Sequence, residues 1–197
     1  MRYSDLDHII RAAHDVLNGE PVYIVGSQSI LPWLRKQAGI PPREYNRALT
    51  LSREVDIIPF SGRESSADEI DGSLGEFSRF DDTNGYYAEG IGFNTITVTP
   101  DWKGRCMPIK DASGETLAYC MHPIDLFIAK SCAMREKDGP FLDVMIAENL
   151  VRPQSVLHQL PKLRGVISDE KFGIVAQQIK NRFKTQQPRN NSSYKCG

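Results

Sequence analysis

Leu6, Ile9, Ile10, Ala13 and Leu17 recur at helical spacing behind a Ser4/Asp7 pair that resembles a capping box, and Asn18-Gly19 supplies a stop. The pattern predicts a first helix that buries one face. The period then changes. Pro21-Val22-Tyr23-Ile24-Val25 is a short apolar, β-branched run closed by Gly26, and Ser27 is placed to cap a second helix carrying Ile30, Leu31 and Leu34. Residues 38 to 49, with Gly39, Pro41, Pro42 and Asn46, break both periodicities and predict a surface loop. Strand character resumes from Glu54 to Ile58, with Pro59 as its end, and a short helix is expected around Ala67 to Ile70.

From Tyr86 to Tyr119 short β-rich runs (Tyr86-Tyr87, Thr95 to Val98, Met107 to Ile109, Thr116 to Tyr119) alternate with turn residues at Gly90, Gly92, Pro100-Asp101 and Ser113-Gly114. Antiparallel hairpins are the expectation. Pro123 opens a helix through Met134, and Gly139-Pro140 opens another to about Leu150. Helices near Gln154 to Leu160 and from a Ser168 cap through Phe183 follow, the last with Phe172, Val175, Ile179 and Phe183 on one stripe. The pattern is that of an α+β chain: a domain over residues 1–150, a helical extension over 151–185, and a polar tail over 186–197 that reads as flexible.

Composition narrows the function classes. With 197 residues the chain has room for one ordinary core. A net charge of −1 gives no global field to attract nucleic acid or membrane. No apolar run reaches the roughly 18 residues needed to span a bilayer, and the start lacks the pattern of a signal peptide, so a cytoplasmic protein without a membrane partner is expected. Cys106, Cys120, Cys132 and Cys196 are scattered and do not cluster with the histidines, against a zinc site or a disulfide framework.

Four features bear on chemistry. Gly26-Ser27 sits where a strand meets a helix, so free N–H groups there would face a bound anion, although glycine and serine are also ordinary turn and cap residues. In Glu54-Val55-Asp56 the strand period puts both carboxylates on one face. That face either binds a divalent cation or is a solvated one neutralised by Arg53 or a nearby lysine. Lys130 falls in an apolar arc with Leu126, Phe127, Ala133 and Met134, where it either snorkels or points into a site. Asp138 either caps the helix near Pro140 or orients Lys130, while Arg135, Lys137 and Asp143 read as partners of helix dipoles.

These residues, taken in order, resemble nucleotidyltransferase-like proteins of the polymerase-β fold, especially abortive-infection toxin enzymes and a related uncharacterised bacterial branch. The resemblance spans roughly residues 22 to 150. It rests on the segment Val25 to Leu31, the Glu54/Asp56 pair, Ile70 to Glu76, Gly85 to Tyr87, and the stretch Pro123 to Asp138 with Lys130 and the Arg135 to Asp138 run. It implies a nucleotidyltransferase fold, a mixed and mostly antiparallel sheet flanked by helices, with C-terminal helices beyond. Gly26 and Ser27 would hold nucleotide phosphates, Glu54 and Asp56 would bind magnesium (Mg²⁺), and Lys130 with Asp138 would close the site. The implied activity is transfer of NMP from an NTP to an RNA, such as tRNA, or to a protein hydroxyl, extending to a toxin role with a cognate antitoxin. The alternative is a nucleotide- or partner-binding module of the same fold without turnover. Many enzymes of this fold use a third acid from a later strand; Glu89 and Asp101 are the visible candidates, and the sequence does not choose between them.

Overall fold

The computed structural model describes residues 1–36 and 47–186; the expected flexible tail beyond Gln186, Cys196 and most of the loop expected over 38–49 lie outside the described residues. Helix α1 runs Tyr3–Val16 and buries Leu6, Ile9, Ile10 and Ala13. Its start is corrected by a few residues. The carboxylate of Asp5, not of Asp7, reaches back to accept the Arg2 backbone N–H at 2.8 Å, because Asp5 is buried beside the Arg2 guanidinium while Asp7 is taken by Arg11 one turn on. Asn18 and Gly19 adopt positive φ and end the helix as expected.

Strand β1 (Val22–Val25) is buried throughout. Beyond Gly26 the chain forms a 3-10 turn over Ser27–Ile30 before α2 (Leu31–Lys36), so Ser27 is the first residue of that turn and makes no capping hydrogen bond. The serine that closes the turn is Ser29, whose hydroxyl donates to the Gly26 carbonyl at 2.8 Å. Another 3-10 turn, Arg47–Leu49, puts the fully buried Leu49 in the core at the end of the stretch expected to be a surface loop. Strand β2 (Glu54–Pro59) is followed by α3 (Glu64–Leu74), longer than expected, by α4 (Arg79–Asn84), which the pattern did not predict, and by β3 (Tyr87–Gly90). Then come β4 (Met107–Lys110), β5 (Thr116–Cys120), α5 (Pro123–Ala133), α6 (Gly139–Ala147), α7 (Pro153–Gln159) and α8 (Asp169–Gln186).

Among the described residues the fold is α+β, with a five-stranded mixed sheet in the order β3-β2-β1-β5-β4. Two pairings are antiparallel, β1 with β2 and β4 with β5; two are parallel, β1 with β5 and β2 with β3. The sheet is therefore evenly mixed and not mostly antiparallel as expected, and the expectation of hairpins from Tyr86 onward holds for β4 and β5 alone. Strand β3 pairs parallel to β2 because α3 and α4 carry the chain back across the sheet, the connection a parallel pair requires. Thr95 to Val98 is not a strand. Phe93 and Trp102 on either side of it turn inward onto Tyr23, with ring centroids at 5.9 and 5.2 Å, and this packing outweighs local β-propensity.

One face of the sheet packs on α1 and α3 through Val22, Ile24, Val55 and Ile57. The other bears Val25, Asp56 and Glu54, with α5 and α6 beyond. The stripe on α8 is as predicted, with Val175, Ile179 and Phe183 buried, and Phe183 stacks on Phe127 of α5 at 5.4 Å. No helix among the described residues is long and apolar enough to cross a membrane.

Candidate functional site

The register of β2 decides what its acidic residues meet. Asp56 lies opposite Val25 of β1, and on its other side opposite Glu89 of β3; Glu54 lies opposite Tyr87. Because paired residues point to the same face, Glu54, Asp56 and Glu89 converge, and one oxygen from each lies within 4.8 Å of the others. Three carboxylates so close repel one another unless protons or a cation intervene. Among the described residues none of the three has an ion-pair partner. Arg53, the neutralising partner considered from sequence, turns away to Asp81 at 2.7 Å and to the Gly85 carbonyl.

Two of the three carboxyls are shifted upward. Burial, then the charge of Glu54, pushes the Asp56 carboxyl up to about 6, although Lys130 and Arg135 pull the other way. A hydrogen bond shared with Glu54, burial and the charges of Glu54 and Asp56 push Glu89 up to about 7. Neighbours hold the cluster in shape. The Tyr87 hydroxyl donates to Glu54 Oε2 at 3.4 Å, and Asp71 of α3 accepts the Gly90 N–H at 2.6 Å, fixing β3 next to Glu89. Asp101, the other third-acid candidate, is elsewhere, held by Arg105 at 2.7 Å and Lys162 at 2.6 Å well below the usual carboxylate range.

Gly26 touches this cluster directly. It has a φ of +61°, and a Cβ there would overlap the Asp56 carboxylate. Glycine is thus required both by the turn and by the close approach of the acid. The Ser27 hydroxyl makes no hydrogen bond among the described residues and lines the cleft that opens beside the carboxylates.

That cleft, about 840 Å³, runs between the acidic sheet face and α5, α6 and the first turn of α8. Gly26, Ser27, Glu54, Asp56, Lys130 and Asp138 all line it, so the residues singled out from sequence do come together. Lys130 does not snorkel to solvent. Its Nζ donates to Asp138 Oδ1 at 2.6 Å and lies 4.8 Å from the centre of the Phe141 ring, with only 15% of the side chain exposed. Asp138 makes no capping hydrogen bond to α6; orienting Lys130 is what its carboxylate does. Asp143 is not simply a dipole partner, because Arg182 of α8 bridges it and the Gly139 carbonyl.

The same wall carries Arg135, Lys137 and Lys171, none with a carboxylate partner among the described residues. Sequence reasoning assigned the first two to the helix end and missed Lys171, because nothing in a local pattern shows that α8 returns to this cleft. A three-carboxylate pocket suits a hard divalent cation, and a cationic wall beside it suits phosphate. In comparisons with known proteins, no family model, no curated protein and no solved structure matches this chain.

Proposed function

We propose that this protein is a Mg²⁺-dependent nucleotidyltransferase of the polymerase-β fold that moves NMP from an NTP to a hydroxyl of RNA or protein. The observation that carries the reading is the convergence of Glu54, Asp56 and Glu89, without ion-pair partners among the described residues, with Glu54 and Asp56 lining a cleft whose helical side is basic. The strand–glycine–turn connection at Gly26, the antiparallel β1/β2 pair and the parallel β3 that brings the third acid are consistent with the fold the sequence resembles.

Glu54, Asp56 and Glu89 would hold the metal, which would neutralise charge on the phosphates at the reacting centre. Gly26 keeps the Asp56 carboxylate in place by leaving it room. The Ser27 hydroxyl and adjacent backbone are available to orient phosphate. Lys130, aligned by Asp138, donates to phosphate oxygens as charge develops on them. The acceptor oxygen bonds to the α-phosphorus as the bond to the bridging oxygen breaks, and pyrophosphate leaves with that electron pair. The hydroxyl proton passes to Glu89, the exposed member of the cluster, and on to water.

The test is incubation with each α-labelled NTP, MgCl₂ and either total tRNA or a protein extract. Label is expected in one acceptor class, falling at least about 10²-fold in Glu54→Gln and in Asp56→Asn. Absence of transfer for every NTP and acceptor, by folded protein, would rule out turnover. Growth arrest on expression, relieved by the same two variants, is the matching test of a toxin role.

A further inference from the structure

Of the described residues lining the cleft, Lys171 alone comes from beyond residue 150. It sits in the first turn of α8, where a cation opposes the helix dipole. Its backbone N–H is held by the Ser168 hydroxyl at 3.2 Å. The rest of α8 is fixed against α5 and α6 by the Phe183–Phe127 stack and by the Arg182 bridge to Asp143 and Gly139. Lys171 is half-buried close to Cys132 of α5, whose thiol it pulls down against the larger upward push of burial. Among the described residues it has no carboxylate within ion-pair distance, although Asp169 and Glu170 share its turn. A packed helix thus delivers an uncompensated ammonium to the helical side of the cleft, beyond the neutral Lys130–Asp138 pair.

We infer that Lys171 binds the terminal phosphates of the nucleotide, so that the C-terminal helix makes the site discriminate nucleoside triphosphates from monophosphates. This rests on the nucleotide-site reading above. The carboxylate end accounts for a metal-bound reacting phosphate; negative charge farther along the ligand is what Arg135, Lys137 and Lys171, which have no carboxylate partner among the described residues, would neutralise. Lys171 is a specificity residue on this view, with no bond made or broken at it.

The experiment is calorimetric titration of the full chain in MgCl₂ with the four common NTPs, then with the di- and monophosphate of the one that binds best. Lys171→Met keeps an unbranched aliphatic side chain and removes the charge; Lys171→Gln serves as a second variant, with thermal melting as the fold check. The expected result is a loss of about tenfold in NTP affinity, the size of one charge-assisted hydrogen bond, with monophosphate binding unchanged within about twofold and Lys171→Arg close to wild type. Equal losses for tri- and monophosphate, no loss, or a loss confined to an RNA oligonucleotide would overturn the role of Lys171 while leaving the nucleotide site standing. Wild-type protein that binds no NTP would overturn the site reading and this inference with it.

Discussion

Gly26 shows how much one missing side chain decides. Its φ of +61° with ψ of −162° is a conformation essentially confined to glycine, costing an L-residue on the order of 1–3 kcal/mol, and a Cβ would also collide with the Asp56 carboxylate. Gly26→Ala is therefore expected to do two separable things. The midpoint of urea unfolding should drop by an amount equivalent to about 1–3 kcal/mol, and binding of Mn²⁺, read by calorimetry as a probe for the site, should weaken about as much as in Asp56→Asn. A variant that loses stability and binds Mn²⁺ normally would show that the close approach has no role in the site. Glu89 makes the complementary point. As a residue it is an ordinary exposed acid on a short strand, and its raised pKa comes from the hydrogen bond with Glu54, from burial, and from the charges of Glu54 and Asp56 on β2 and Asp71 on α3.

At the scale of elements, the parallel pairing of β2 and β3 creates the third corner of the site, and a different clamp holds α5 in place. Asp125, fully buried in the first turn of α5, accepts from Arg105 at 2.9 and 2.7 Å, while Arg105 also reaches Asp101, which is tied in turn to Lys162. Asp125 falls within the Pro123 to Asp138 stretch singled out from sequence, yet its contacts are structural. Removing the guanidinium leaves a buried carboxylate unpaired, so Arg105→Met is expected to cost about 3–5 kcal/mol in urea unfolding. Arg105→Met with Asp125→Leu should recover a large part of that, because the uncompensated charge is gone. Recovery of nothing would mean that Arg105 acts through Asp101 and Lys162 instead.

At the scale of the molecule, the acidic cluster leaves a mark on stability. Asp56 and Glu89 have higher pKa values in the folded chain than the values near 4 expected when unfolded. Between about pH 4 and 7 the folded state therefore binds more protons, and the stability contributed by this pair falls as pH rises through 6 and 7. His122, whose imidazole is lowered by burial, works in the opposite direction over part of the same window. The informative quantity is thus the melting temperature of wild type minus that of Glu89→Gln in EDTA. It should decrease from pH 5.5 to pH 8, and added Mg²⁺ or Mn²⁺ at pH 8 should raise wild type more than the variant. A difference independent of pH would mean that the carboxylates do not share one electrostatic site.

Hydrophobic periodicity located α1 and the α8 stripe, apolar or β-branched runs marked β1 and β2, and Pro123 and Gly139-Pro140 marked the starts of α5 and α6, because each signal follows from the geometry of its own element. The two carboxylates of β2 and the apolar arc around Lys130 were legible for the same reason, as was the glycine that ends β1. What the sequence could not decide was anything set by pairing between distant segments. That Glu89 and not Asp101 joins the acids depends on β3 lying parallel to β2 in a register that no local pattern encodes. That Thr95 to Val98 gives up strand geometry depends on aromatic packing against Tyr23. That Asp138 serves Lys130 instead of capping α6, and that Lys171 reaches the cleft at all, depend on how α5, α6 and α8 pack together. The sequence by itself determined which residues could carry chemistry, since side-chain type and strand or helix period are local; the tertiary structure alone decided which of them meet, since convergence is a property of contacts between parts of the chain far apart in sequence.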